Sequence, residues 1–252
     1  MKRILIFARR VMLELLRDPM SWVFSIGFPV VMLVVMTLLN RSIPKEADMD
    51  LFTLPSLVPA VWVFGMSFLM LFTAQLIARD RSEAFLIRLY LSPMKTPEFL
   101  LGYLIPVSVL GILQGLLTFL CGFIISIFTG ETMGSAAGIL LTVLFSLPSL
   151  ILFIAIGLLF GALFSERAAP GISSAVISAA GLLGGLWMDV DKMGGTWLDI
   201  CCALPFYHAV KLARGAFSLQ TGELGTSLLP VSLYATAIFI LASFLFLRQK
   251  KQ

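Results

Sequence analysis

Long uncharged apolar runs alternate along the chain with short polar stretches. Six runs reach or approach the roughly 20 residues that a helix needs to cross a hydrocarbon layer. They are 22–39, 57–78, 100–128, 136–164, 171–188 and 228–247. Membrane β-strands would read as segments of about ten residues with alternating polarity, and the runs show no such alternation. They predict an all-α integral membrane protein with six transmembrane helices in one transmembrane domain, residues 1–252. The third and fourth runs exceed one perpendicular crossing, which predicts tilt or a kink, with Pro106 and Pro148 as the sites for one. The first and fifth runs are the shortest, at 18 residues each.

The polar stretches carry patterns of their own. In residues 1–21, Arg3, Arg10, Glu14 and Arg17 fall along one helical face, and Ile4, Phe7, Ala8, Val11 and Leu15 along another. A signal peptide would have an uninterrupted apolar core instead. The reading is an interfacial helix that turns into the membrane at Asp18-Pro19. Residues 79–99 read as a short helix with Arg81, Phe85 and Arg88 on one face and Leu89 beside them, an aromatic knob between two arginines. Ser92-Pro93 and Thr96-Pro97 end it, because proline disfavours helix in the residue before it. Residues 189–227 predict two short re-entrant helices before the last span. One carries Trp197, Leu198, Ile200 and Leu204 with Asp199 toward water, and the second runs over 206–217.

Composition agrees with this class. Hydrophobic residues make up 59% and charged residues 13%, against about 25% charged in soluble domains. An even number of spans puts both termini on one side. That side holds thirteen of the 18 Lys and Arg, while Arg41, Lys45, Lys192, Lys211 and Arg214 lie on the other. Cytoplasmic loops retain Lys and Arg, so both termini and the 79–99 stretch are expected in the cytoplasm. A basic inner face against anionic lipid accounts for the net charge of +4 without a nucleic-acid partner.

The spans contain no Asp, Glu, Lys, Arg or His, and their strongest polar groups are Gln75 and Gln114. Ion-coupled transporters need ionisable groups at membrane depth, which disfavours a self-powered pump. GxSxG and GxxxxGK[ST] are missing as well, so the chain is read as no enzyme and not as the ATP-binding component. Gly171, Ser174, Ser178, Gly181 and Gly185 fall three and four apart, a small-residue stripe for helix packing or for a moving pathway seam, and Gly157 and Gly161 are a shorter version. Cys121, Cys201 and Cys202 imply no disulfide framework. His208 has no partner at ligand spacing and reads as an interfacial histidine, with no metal site. Lys211 and Arg214 are expected to snorkel toward lipid phosphates.

The stretch "ARDRSEAFLIRLYLSPMKTPEFLLGY" resembles the cytoplasmic loop between the second and third spans of type-2 ABC transporter permeases. Arg81, Leu86, Leu89, Pro93, Pro97, Glu98 and Gly102 match that family's pattern in order. Ala84, Phe85 and Ile87 stand where the family usually has Gly, Thr and Glu. "RDPMSWVFSIGFPVVMLVV" is similar to the lead into the family's first span. In "GGLWMDVDKMGGTWLDICCALPFYHAVKLARGAF", Leu204-Pro205, His208-Ala209 and Arg214 match the family's outer segment. The resemblance implies a permease of an ATP-driven exporter in the bacterial plasma membrane, with ATP and magnesium held by a separate ABC ATPase subunit, expected in two copies. It also implies a second permease copy or a paralogue. Arg81, Glu83, Phe85, Arg88 and Leu89 would then couple to the ATPase, and Trp197, Pro205, His208 and Arg214 would shape the outer gate. The expected substrate is hydrophobic or amphipathic, such as a drug, antibiotic, peptide or lipid. The alternatives are export of a lipid-linked glycan, a non-transporting sensor or immunity subunit, and an intramembrane enzyme, the last disfavoured by the missing acid and base groups.

Overall fold

A computed structural model describes residues 2–42, 50–83, 85, 94–220, 222 and 224–250. Among the described residues every regular element is a helix. The chain begins with α1 (Lys2–Arg17), turns through α2 (Pro19–Trp22) into a π-helical turn (Val23–Gly27), and continues as α3 (Phe28–Ser42). There follow α4 (Leu54–Ser82), α5 (Thr96–Thr129), α6 (Ala136–Phe145), α7 (Leu147–Leu163) and α8 (Ala169–Leu183). After α9 (Val190–Met193), α10 (Gly195–Cys202) and α11 (Pro205–Phe217), the chain ends in α12 (Leu224–Lys250). Leu54–Ser82, Thr96–Thr129, Ala136–Leu163 and Leu224–Gln249 are each long and apolar enough to cross a membrane, while Phe28–Ser42 and Ala169–Leu183 are shorter apolar helices. The chain is an integral membrane protein of the all-α class.

Prolines decide where the helices break. The fourth run splits at Ser146, and α7 restarts with Pro148 in its first turn, where the missing N–H costs nothing. In contrast, α5 runs unbroken through Pro106. Ahead of Pro29 the Phe28 N–H reaches back five residues to the Val23 carbonyl, a π turn that gives room to a ring unable to fit the ordinary α pattern. Thr96-Pro97, expected to end a helix, stands at the start of one. Pro97 opens α5, and the Lys95 N–H donates to Glu98 Oε2 at 2.7 Å, which satisfies a donor just ahead of the helix.

The bundle is built around α4. In its most apolar window 94% of residues are buried, against 17% for α12. Helices α3, α5, α7, α8 and α11 all pack on α4, and α12 lies outside on α7. Backbones approach closely at α7, where a Cβ on Gly157 would come within 2.5 Å of the Met70 carbonyl oxygen. Several buried polar groups in this region are satisfied, while the Gln114 amide and the Ser149 and Ser173 hydroxyls have no hydrogen-bond partner among the described residues. Trp62 Nε1 donates to the Gly111 carbonyl at 3.1 Å, and the Thr73, Thr118 and Thr142 hydroxyls donate to carbonyls four residues back, as a water-free layer requires.

Two ends of the bundle are chemically distinct. At one end α1, the C-terminus of α4, the α7–α8 connection and the C-terminus of α12 converge, tied by Arg10 to Asp80, Ser82 to Glu166 and Gln249 to the Ala162 carbonyl. At the other end α11 reaches the first turn of α4 through Arg214 and the Ser56 carbonyl. Residues 56 and 80 are about 36 Å apart at 1.5 Å per helical residue, so α4 is held by a charged side chain at each end.

The α4–α7 contact predicts an asymmetry between glycines. Gly157→Ala is expected to destabilise the purified chain in detergent by about 1–3 kcal/mol through overpacking. Gly171→Ala, where a Cβ meets nothing within 4 Å, is expected to change stability by less than about 1 kcal/mol. Thermal unfolding followed by tryptophan fluorescence checks both.

Candidate functional site

The apolar face read along α1 becomes a packed interface, since Phe7, Ala8, Val11 and Leu15 are all buried. Phe7 lies over Gly102, where a Cβ would come within 2.2 Å of the ring, and meets Tyr103 edge-on at 4.9 Å. Only a glycine leaves this seat open. Arg10, which the pattern grouped with the solvated charges, turns toward α4. Its Nη1 and Nη2 donate to Asp80 Oδ2 and Oδ1 at 2.8 and 2.6 Å, and Glu14 lies 3.0 Å from Nη2. Asp80 is fully buried, and the Tyr103 hydroxyl donates to its Oδ2. The hydrogen bond from Arg10 to Asp80 outweighs burial and holds the guanidinium above its ordinary range. Burial pushes the Glu14 carboxyl up, against the pull of Arg10.

The beginning of the 79–99 stretch folds into this cluster. The Arg10 guanidinium sits 4.0 Å over the Phe85 ring, and Phe85 stacks on Phe7 with centroids 6.2 Å apart. Arg81 donates to the Ala162 and Phe164 carbonyls at the end of α7. These last carbonyls of a helix have no partner within it, and a cation there is favoured by the helix dipole. Arg81 and Phe85, expected to contact the ATPase, turn toward the bundle. Glu83 is exposed and pairs with Arg79 at 3.0 Å. Arg88 and Leu89 lie outside the described residues.

The small-residue stripe divides into three environments. Gly171, Ser174 and Ser178 are exposed along α8. Gly181 is packed beneath Trp187 and Phe64. The helix ends at Leu183, so Gly185 leaves the stripe and forms a turn at φ +74°, a region that favours glycine.

In the outer segment Pro205 opens α11 as its first helical residue, and the buried Cys201, Val190 and Tyr207 gather Trp197 and Leu198 around them. His208 Nε2 lies 2.9 Å from the Cys202 carbonyl oxygen. The Tyr207 hydroxyl donates to Asp191, and burial together with that bond raises its pKa. Arg214 corrects the snorkelling expectation. Its Nε donates to the Ser56 carbonyl at 3.0 Å, and among the described residues its buried Nη2 has no hydrogen-bond partner. Burial lowers its pKa to about 10, against the attraction of Asp189 and Asp191. Facing α4 and α6 rather than lipid, α11 carries this side chain inward.

Sequence reasoning missed the pairing of Arg10 and Tyr103 with Asp80. The signal available was an acid two residues past the end of an apolar run, flanked by Arg79 and Arg81. No spacing rule connects it to a residue 70 positions earlier.

The profile of the family described as ABC-2 type transporter matches residues 2–218, a range that takes in α1, the 79–99 stretch and all of α11. No curated protein matches the chain.

Removing the buried carboxylate tests the cluster. Asp80→Ala is expected to destabilise the chain by about 3–5 kcal/mol, because it strands a partly buried arginine. Tyr103→Phe, which removes one hydrogen bond, is expected to cost about 0.5–1.5 kcal/mol. Hydrogen exchange of residues 3–16 should rise strongly in Asp80→Ala and little in Tyr103→Phe.

Proposed function

The chain belongs to the ABC-2 type transporter family, and from that premise we propose that it is the permease of an ATP-driven exporter whose cytoplasmic cluster couples ATP hydrolysis to the spans. The chain is the membrane component of an ABC transporter and is not the ATP-binding domain. Permeases of this family work with an ATPase subunit in a membrane. In this reading the chain crosses six times, both termini face the cytoplasm, and two permeases, identical or paralogous, pair with two ATPase subunits that hold ATP and magnesium.

The observation that carries the reading is the Arg10–Asp80–Tyr103 cluster with Phe85 stacked against it. Residues 79–99 form the coupling segment, with Glu83, Arg88 and Leu89 toward the ATPase and with Arg81 and Phe85 passing the displacement inward. A push on this segment acts on α1 through Phe7 and Arg10, on α4 directly, on α5 through Tyr103 and on α7 through Arg81. Because α4 touches most of the bundle, its tilt would reach the outer segment, where α11 holds its first turn. That segment, with Trp197, Pro205, His208 and Arg214, forms the outer gate. The exposed stripe of Gly171, Ser174 and Ser178 faces the second permease along the pathway.

Spans without ionisable groups suit a hydrophobic or amphipathic substrate. Export of such a compound across the plasma membrane of a bacterium is the role proposed.

The test begins with the chain purified from its native background in mild detergent. A nucleotide-binding ATPase is expected at one copy per permease, and Phe85→Asp combined with Arg88→Glu is expected to abolish its recovery and its substrate-stimulated hydrolysis. Glu83→Arg alters only an exposed side chain and is expected to weaken recovery while leaving thermal stability within about 0.5 kcal/mol. A chain that purifies alone, or hydrolysis unchanged in these variants, would refute the coupling assignment.

A further inference from the structure

Beside Arg214 the structure holds a cavity of about 210 Å³. Its wall is formed by the Gly184–Gly185 turn, Asp189, Asp191, Tyr207, Lys211, Arg214 and the N-terminal turns of α12 at Leu224 and Ser227. It is too small for a drug-sized molecule, whose pockets measure about 300–1,000 Å³. A small polar group fits.

The chemistry of the wall narrows the choice. Arg214 commits Nε to the Ser56 carbonyl and leaves the buried Nη2 without a partner among the described residues. The guanidinium remains cationic at neutral pH even with its lowered pKa of about 10, so its burial penalty persists until an acceptor arrives. Planar guanidinium N–H groups suit phosphate and carboxylate oxygens. Two carboxylates share the cavity, and each already accepts one hydrogen bond, Asp189 from the Lys192 N–H and Asp191 from the Tyr207 hydroxyl. With Arg214 and Lys211 they balance the charge of the wall, which disfavours a doubly charged anion and suits a ligand that carries both signs. A ligand with one phosphodiester charge and one ammonium satisfies both requirements.

We infer that this cavity binds the phosphoethanolamine headgroup of a membrane lipid, with the phosphodiester on Arg214 and the ammonium toward Asp189 and Asp191. Leu224 and Ser227 of the wall belong to the first turns of a helix long and apolar enough to cross a membrane, which puts the cavity at headgroup level. A bound headgroup would bridge α11, the Gly184–Gly185 turn and α12, and so make the seating of the outer segment depend on lipid composition. This goes beyond the permease reading and takes from it only which leaflet supplies the lipid.

Native mass spectrometry of the full chain tests the assignment, after release from nanodiscs of equimolar phosphatidylethanolamine, phosphatidylglycerol and phosphatidylcholine. The expected result is one retained phosphatidylethanolamine per chain. Arg214→Gln should weaken retention roughly ten- to a hundredfold, the effect of losing a hydrogen bond to a charged group. Ser218→Trp provides a second variant, since Ser218 is exposed and lines the cavity. It should fold as wild type and lose the lipid by obstruction. Soluble glycerophosphoethanolamine should displace the lipid, and inorganic phosphate at equal concentration should not. A chain released without lipid would mean that water fills the cavity, and equal retention of the three lipids would mean that the carboxylates select nothing. Either result overturns the inference, as does undiminished retention in a folded Arg214→Gln or Ser218→Trp chain. Displacement by inorganic phosphate would reduce the cavity to a plain anion site. Because no ATPase is needed, failure here leaves the permease reading intact.

Discussion

The buried ion pair between Arg10 and Asp80 ties the N-terminal helix to the central span. A carboxylate with no solvent contact at the end of an apolar helix is costly unless its oxygens are filled. Arg10 fills them with two parallel hydrogen bonds, and Tyr103 adds a third from α5. Three separate elements therefore meet at one carboxylate. Charged partners at 2.6–2.8 Å also fix distance and orientation in a way that apolar contacts do not, since apolar side chains tolerate sliding.

That constraint explains why α1 is more than a membrane anchor. Its apolar face is used against protein, with Phe7 seated on Gly102, and its cation is used against Asp80. Phe85, the one described residue of the central part of the 79–99 stretch, closes the arrangement by lying under the same guanidinium. A residue immediately after α4 is thus in contact with the side chain that anchors α1, and Arg81, one turn earlier, holds the end of α7. Displacement at this point has stiff, polar routes into the bundle.

The far end of α4 uses the same device with a different balance. Arg214 is anchored to a backbone carbonyl rather than to a carboxylate, so its charge is not neutralised by that contact. The acids nearest to it, Asp189 and Asp191, also serve an N-terminal cap and a tyrosine. One end of the central helix is electrostatically closed, and at the other a buried donor has no partner among the described residues.

Much of this architecture was legible in the amino-acid order. Uninterrupted apolar runs demand helices because a water-free layer leaves the backbone no other partners. The spacing along residues 1–17 gave the buried face of α1, and the second outer helix was read over 206–217, one residue inside its start at Pro205, where a proline at the first helical position forfeits no hydrogen bond. The restart at Pro148 was legible for the same reason, although the unbroken course of α5 through Pro106 was not. What only the tertiary structure decided is the partner of each charge. Arg10, Arg81 and Arg214 read in the sequence as part of the charged face of an interfacial helix, as part of a coupling segment and as a snorkelling cation, none with a protein partner. One became the counter-ion of a buried acid, one the cap of another helix, and one a partly satisfied donor in a cavity. Each partner lies 70 or more positions away, and periodicity carries information only within a helix. Packing brings the helices together, and at the points where it encloses a charge the long-range hydrogen bond fixes their relative placement.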